Sequence, residues 1–396
     1  MMYASHLECS VCSTTYDLDQ VIGTCRCGEP LLTRYRLDAV RRDLSPADFV
    51  HRPNTMFRYR ELLPLSERSS PVSLGEGMTP LLKADRLAQA LGMQAGKLWI
   101  KDEGLNPTGS FKARGAALGI TRLRELQVKK AILPTAGNAG GAWAAYGSRG
   151  GVGIVVIVPQ RAPDVNKGEA ELAGAETYVV DGLISDAGKI ADKLAQENGW
   201  FNVSTLKEPF RLEGKKTMGL EIAEQLNWRL PDVVVYPAGG GVGLIAMWKA
   251  FQELRELGWV TGDLPRMVAV QATGCAPIVR AWQEGRSESQ HWDNAETIAS
   301  GLCVPKPKGD KLMLQALRES RGTAVAVSDD EIRAAHRTAG RLEGMIICPE
   351  GAAAVAGLEK LVQSAWIKPD DEVVVLNTGT GLKYPHLFNL DLKQLR

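Results

Sequence analysis

Excess charge of either sign is missing from this chain: 47 Lys and Arg stand against 46 Asp and Glu, a formal net charge of +1. Nucleic acid and anionic membranes select basic surfaces, so neither is an expected partner. Long apolar runs are missing too. The strongest, "GVGIVVIVP", is far shorter than the ~20 residues that cross a bilayer. The opening "MMYASHLECS" lacks a basic stretch followed by an apolar core, so no secretory signal is read there and the cytoplasm is the expected compartment. Cysteine is scarce, seven in 396 residues, which argues against a disulfide scaffold. Internal repeats and low-complexity tracts are absent. What is present is ordinary globular composition, 44% apolar and 23% charged, in a chain too long for one core. Two or three domains are expected.

Four of the cysteines cluster. "CSVC" supplies Cys9 and Cys12, and "CRCG" supplies Cys25 and Cys27. Two such pairs on neighbouring turns can form a tetrahedral thiolate cage for zinc. The second pair is tighter than the usual C-x-x-C, and a metal-free hairpin would carry the same residues. Cys275, Cys303 and Cys348 are scattered and read as small packed side chains.

Residues 1–37 read as a small ribbon. Residues 38–74, with "HRPNTMFRYRELLPLSERSSP", read as an extended arm lying on a larger body. Beyond them, short β-branched runs alternate with amphipathic stretches. "KLWIK", "KAILPT", "VGIVVIVP", "AETYVV", "VVVYPAG", "MVAVQA", "TAVAVS" and "EVVVLNTG" are the strand candidates. Strands that alternate with helices predict α/β layers and parallel sheets. Ser328 and Glu331 have capping-box spacing, and Ile332, Ala335, Ala339 and Leu342 follow on one face. His336 falls beside that stripe and reads as a packing or surface residue.

Three glycine-bearing turns follow strands or open helices. In "VVVYPAGGGVGLIAM", Gly239, Gly240, Gly241 and Gly243 lie between a strand and a helix, the arrangement of an anion cradle. A tight strand–helix turn would look similar. No Lys-Ser/Thr pair follows, so the Walker pattern is absent. The next strand ends at Gln271 rather than at an acidic residue, which disfavours NAD. The second turn is "TAGNAGG", with Thr135, Ala136, Gly137 and Asn138. The third is "LNTGTGLKY", where Thr378 ends a buried strand and can bond a ring nitrogen. Against these stands "EGLNPTGSFKARG", where Lys112 opens a helix. A lone lysine there would be a surface residue. Beside a phosphate cradle it can form a Schiff base, which is what pyridoxal phosphate requires.

In this order, "NPTGSFKARG", "TAGNAGG", "PAGGGVG" and "LNTGTGLKY" resemble the fold-type II pyridoxal phosphate enzymes, the tryptophan synthase beta-like family, and among them the threonine synthases. "SLGEGMTPLLKA", "FRLEGKKTMGLEI" and "EGMIICPEGAAAVAGL" extend the resemblance over nearly the whole chain, and a cysteine-bearing ribbon is also similar to one found in many threonine synthases. The resemblance implies an α/β fold of two three-layer αβα domains. Residues 75–210 would mainly form the smaller domain with the Schiff-base lysine. Residues 211–396 would mainly form the larger one, with the phosphate cradle and the pyridine-nitrogen partner.

The same resemblance implies roles for particular residues. Lys112 would hold pyridoxal 5'-phosphate and act as the catalytic base. Phe111, Asn138, Thr378 and the run Gly239, Gly240, Gly241, Val242, Gly243 would bind the cofactor. Arg114, Thr135, Ala136, Gly137, Ser204 and Arg211 would bind substrate, with Ser204 and Arg211 on a substrate phosphate. The implied activity is O-phospho-L-homoserine plus water to L-threonine plus phosphate, in a cytoplasmic homodimer acting on a small amino acid. Ala113, Ala139 and Gly240 stand where that family often carries polar groups, and Gly240 resembles the serine/threonine dehydratases. A related lyase or β-replacement enzyme of dehydratase or cysteate synthase type is therefore the alternative. A non-catalytic amino-acid- or metal-binding regulator is the alternative of another class.

Overall fold

The computed structural model describes residues 2–182 and 184–388. The N-terminal ribbon is antiparallel: β1 (Ala4–Cys9) lies between β2 (Thr15–Tyr16) and β3 (Leu31–Tyr35). Residues 38–74 are helical in part, with α1 (Leu37–Asp43) and two 3-10 turns at Pro46–Phe49 and Met56–Leu62. Phe49, Tyr59 and Leu62 there are buried in one cluster with Leu220, Ala250 and Leu254, so this segment is fastened to the body by apolar contact.

The body has two sheets. The larger is built from β4 (Leu81–Lys83), β5 (Leu98–Asp102), β10 (Val233–Pro237), β11 (Arg266–Ala272), β12 (Thr323–Val327) and β13 (Val373–Asn377). These six strands lie in the order β12-β11-β10-β13-β5-β4. The smaller is built from β6 (Lys130–Pro134), β7 (Gly153–Pro159), β8 (Glu176–Val180) and β9 (Phe201–Asn202), in the order β8-β7-β6-β9. All eight expected runs are strands. Every pairing in the two body sheets is parallel except that of β4, which runs antiparallel along the edge of β5.

Helices cover both faces of each sheet, as parallel strands require. The short α2 (Asp85–Ala90) precedes β5, α5 (Asp164–Leu172) follows β7, and α9 (Pro277–Gln283) and α10 (Asp310–Glu319) link β11 to β12. On the small sheet, α3 (Lys112–Glu125) and α4 (Ala139–Gly150) share a core with Ala131, Leu133, Val156 and Val158. The intervening Ile132, Val155 and Ile157 face α6 (Ile184–Asn198) instead. The large sheet alternates likewise. Val234, Met267 and Val374 pack with α7 (Phe210–Gln225) and α8 (Val242–Glu256), whereas Val235, Val268 and Val375 pack with α12 (Pro349–Gln363). Since each fully buried aliphatic side chain contributes about 1.5–3 kcal/mol, a one-residue slip that exchanged the faces is strongly disfavoured.

The helix α11 (Asp329–Glu343) carries the expected box: Glu331 N–H donates to Ser328 Oγ at 3.2 Å, and Ser328 N–H donates to Glu331 Oε2 at 2.7 Å. His336 on that helix is half-buried and stacks on the Phe388 ring, 6.4 Å between centres. The small sheet is inserted into the large one. The chain leaves the large sheet after β5, builds β6 to β9, and returns at β10.

Candidate active site

The turn before α3 is tied to the end of β13. Phe111 N–H donates to the Thr378 carbonyl at 3.1 Å, and Thr380 N–H donates to the Gly109 carbonyl at 2.9 Å. Lys112 therefore opens its helix beside Thr378, although 266 positions separate them in sequence. Phe111 is 7% exposed and meets the Tyr236 ring edge-on, 6.2 Å between centres. Tyr236 lies in β10, directly before the glycine loop. Lys112 Nζ stands 4.0 Å from the Phe111 ring centre. Burial brings its amine down to about 8, against the pull of Glu350 and with help from Arg211.

The glycine loop is shaped by close packing. A Cβ on Gly239 would run into the Gly301 carbonyl oxygen, and Gly241 has φ +72° with Met313 against it. Gly240 has more room, facing Thr205. The N–H groups of residues 239–242 take no acceptor among the described residues, at the start of α8. Orphan donors at a helix start suit a phosphate. The residues thus fit pyridoxal phosphate: an amine of lowered basicity, a row of free amides, and the Thr378 hydroxyl, which meets Cys348 Sγ at 3.6 Å and carries no charge.

Asn138 stands at the N-cap position of α4, with its side chain turned to other partners. Its Nδ2 donates to the Tyr384 hydroxyl at 3.2 Å, and its Oδ1 accepts from Lys383 at 3.3 Å. Lys383 also bonds the Thr108 carbonyl at 2.7 Å and Glu169 at 2.6 Å, so it joins the lysine turn to the small sheet's helices. In the second turn, Gly137 N–H is already taken by Thr135 Oγ1 at 3.1 Å, while the N–H groups of Ala136 and Asn138 take no acceptor among the described residues. The carboxylate-binding capacity of this turn rests on those two amides.

Arg114 has a place other than the expected substrate contact. It is fully buried, with Nε 2.6 Å from Glu103 and Nη1 2.5 Å from Glu221. Lys101 adds a third bond to Glu221 at 2.7 Å. Every nitrogen of the Arg114 guanidinium bonds a protein group, so this residue fixes α3 to the turn after β5 and to α7 and has no donor to offer a ligand.

Arg211 is near the site and 3% exposed. Its Nε donates to Glu208 at 2.7 Å, its Nη2 to the Val203 carbonyl, and its Nη1 reaches Thr205 Oγ1 at 3.4 Å. The Nη1 edge, beside Thr205 and so beside Gly240, is the one least committed. Ser204 donates to Asn202 Oδ1 within its own loop. Arg211 lies near enough to act on the charge of Lys112 because α3 and α7 touch backbone to backbone: a Cβ on Gly214 would run into the Arg114 carbonyl, and one on Gly115 would lie 3.1 Å from Arg211 Cβ.

Three residues near the lysine carried no clear signal in the sequence. Glu350 receives Gly301 N–H at 2.8 Å and the Tyr384 hydroxyl at 3.5 Å. Tyr384 follows Thr378 by six positions in "LNTGTGLKY", the one cue that could have found it. Lys215 is the third, on α7.

In the ribbon, the sulfurs of Cys9, Cys12, Cys25 and Cys27 all lie within 4.8 Å of one another. Cys9 to Cys27 is 3.5 Å, Cys12 to Cys25 3.5 Å, and Cys12 to Cys27 3.7 Å. Four thiolates about 2.3 Å from a central zinc would be separated by about 3.8 Å, so the cluster fits a tetrahedral ion. Val11 and Cys12 N–H groups point at Cys9 Sγ, each at 3.5 Å.

Comparison with known proteins identifies the family. The model of a family described as pyridoxal-phosphate dependent enzyme matches residues 72–379. The chain is 38% identical over 379 residues to a threonine synthase of Methanocaldococcus jannaschii, covering 96% of this chain and 93% of that one. It is 34% identical over 334 residues to a threonine synthase of Mycobacterium tuberculosis strain H37Rv, covering 84% and 89%. Among solved structures, maize serine racemase matches with a TM-score of 0.66 at 21% identity, over 78% of this chain and 92% of that one. The processed form of threonine deaminase isoform 2 from Solanum lycopersicum matches with a TM-score of 0.64 at 24% identity, over 78% and 82%. These two likenesses concern the fold.

Proposed function

Because the chain belongs to the pyridoxal-phosphate dependent enzymes and, among them, to the threonine synthases, we propose that it converts O-phospho-L-homoserine and water to L-threonine and phosphate. The observation that carries the site assignment is Lys112: its amine is lowered to about 8 and stands at the join of the β13 end, Phe111 and the cations of α7.

Lys112 would hold the cofactor covalently, the amides of 239–242 its phosphate, Asn138 its ring oxygen and Thr378 its pyridine nitrogen. When bound, pyridoxal phosphate supplies a conjugated ring that spreads the negative charge left on substrate carbon after a proton is removed. The remaining work falls to this chain. Lys112, as a free amine, would take one proton from Cα and one from Cβ, and would give one to Cγ, which becomes the methyl carbon, and one back to Cα. A hydroxyl at Thr378 leaves the pyridine nitrogen free of a forced positive charge. Ala136 and Asn138 N–H groups orient the substrate carboxylate. Arg211 faces the phosphate that leaves Cγ, and water adds at Cβ. The four thiolates of the ribbon hold a structural zinc ion.

No described helix is long and apolar enough to cross a membrane. Our reading is a cytoplasmic homodimer. The test is product analysis with phosphohomoserine, threonine, serine and phosphoserine offered separately. Threonine and phosphate from phosphohomoserine are expected. Rapid dehydration of serine or threonine, with phosphohomoserine ignored, would replace this reading by the lyase.

A further inference from the structure

Helix α7 brings to the site a second lysine that the scheme above leaves unused. Lys215 lies one turn beyond Arg211 and is 3% exposed. Its Nζ stands 4.7 Å from the centre of the Phe111 ring, the same ring that Lys112 Nζ approaches to 4.0 Å. Its Cε would lie 3.3 Å from a Cβ on Gly115, so the stem runs along α3 toward the lysine turn.

Other buried lysines of this chain have acidic partners. Lys101 bonds Glu221, while Lys216 and Lys249 share Glu213 and Glu253. Among the described residues no carboxylate, carbonyl or hydroxyl bonds the Lys215 amine. The charged groups that face it are Lys112 on α3, Arg211 on its own helix and Glu208 just before that helix. Burial, then the two cations, push the amine well below the usual lysine range, and Glu208 offsets this only in part. A buried amine without a partner is costly in the empty site, and a bound anion removes the cost.

We propose that Lys215 is the second cationic residue of the substrate-phosphate pocket, completing with Arg211 the site for the γ-phosphate and taking up a proton from solvent as the dianion enters. This rests on the phosphohomoserine reading. In the empty pocket the amine holds its proton less tightly than an ordinary lysine, because it is buried and faces Arg211 without a bonded acid. A bound phosphate supplies the opposite charge and favours the ammonium, and its departure reverses this.

Inorganic phosphate is the probe, titrated calorimetrically into the holoenzyme at a pH where it is already the dianion, in two buffers of different ionisation enthalpy. With the cofactor in place the amides of 239–242 are occupied, so binding reports the other anion site. Wild-type protein should bind with net proton uptake. Lys215→Met should lose the uptake and bind phosphate roughly tenfold to a hundredfold more weakly, the loss of one charge-assisted bond. KM for phosphohomoserine should rise by a similar factor, with kcat less affected. The visible cofactor spectrum should be retained, and the melting temperature should hold or rise, because an uncompensated amine has been removed. Lys215→Gln gives the same reading if the methionine variant folds poorly. A Lys215→Met protein that binds phosphate as tightly as wild type, or wild-type binding without proton uptake, overturns the proposal. Lys215-dependent phosphate binding by an enzyme that ignores phosphohomoserine would uphold the anion pocket and overturn the reading of the substrate.

Discussion

Lys112 and Arg114 are two positions apart and opposite in fate. Lys112 keeps its amine toward the cleft, while Arg114 is consumed by Glu103 and Glu221. Nothing local separates them. The acids that claim Arg114 lie 11 and 107 positions away, and only the folded chain brings them together. Lys112→Ala should abolish both the visible cofactor band and turnover; normal turnover in that variant would remove the lysine from the mechanism. The lowered basicity of Lys112 has a pH consequence. Its unprotonated amine is the form that captures the cofactor, and it is in the minority below about 8. The rate of cofactor capture by the apoprotein should climb about tenfold per pH unit up to about 8, then level off. Stopped-flow absorbance across pH 6–10 reads this directly, and a rate still climbing at pH 10 would mean an ordinary, solvated lysine.

At the scale of elements, the strands and the start of α11 were legible, because buried parallel strands read as β-branched runs and capped helices carry local marks. The order of strands was not. β13 pairs with β10 on one side and β5 on the other, a choice that depends on crossovers which leave no local mark. The close approach of α3 and α7 was also hidden, since glycine at 115 and 214 has many uses. Gly214→Ala should push the helices apart at the Arg114 carbonyl, with an overpacking cost of about 1–3 kcal/mol and weaker cofactor retention, measured by denaturant midpoint and by dialysis against buffer. Arg211→Ala carries a second cost besides any lost phosphate contact. Glu208, 1% exposed, would lose its ion-pair partner at the start of α7, for about 3–5 kcal/mol. Its melting temperature should therefore fall together with phosphohomoserine turnover. Glu208→Gln isolates the pairing effect, since it keeps the guanidinium.

On the scale of the whole molecule, the ribbon is fastened to the body at the start of α7. Phe210 is buried with Leu7, Cys9, Cys25 and Leu31, and the Tyr35 hydroxyl donates to Glu213 at 2.7 Å. Metal analysis should find about one zinc ion per chain. Cys25→Ser should lose that metal and lower the melting temperature while the cofactor band persists. Metal-free wild-type protein of unchanged melting temperature would leave the ribbon as a plain hairpin.

The position of β13 sets a timetable for the chain as it leaves the ribosome. β5 emerges early, as residues 98–102, yet its parallel neighbour is residues 373–377, and β10 waits for the same strand. Until that late segment is synthesised, the nascent protein carries β5 and β10 with one flank each unpaired and Lys112 without the Thr378 carbonyl that steadies its turn. The small sheet has all its strands by residue 202 and can form during translation, whereas the large one closes only near the end. Such long-range closure is slow and leaves apolar edges open meanwhile. The turn that carries Lys112 therefore gains its last backbone partners only after residues 373–380 have been added.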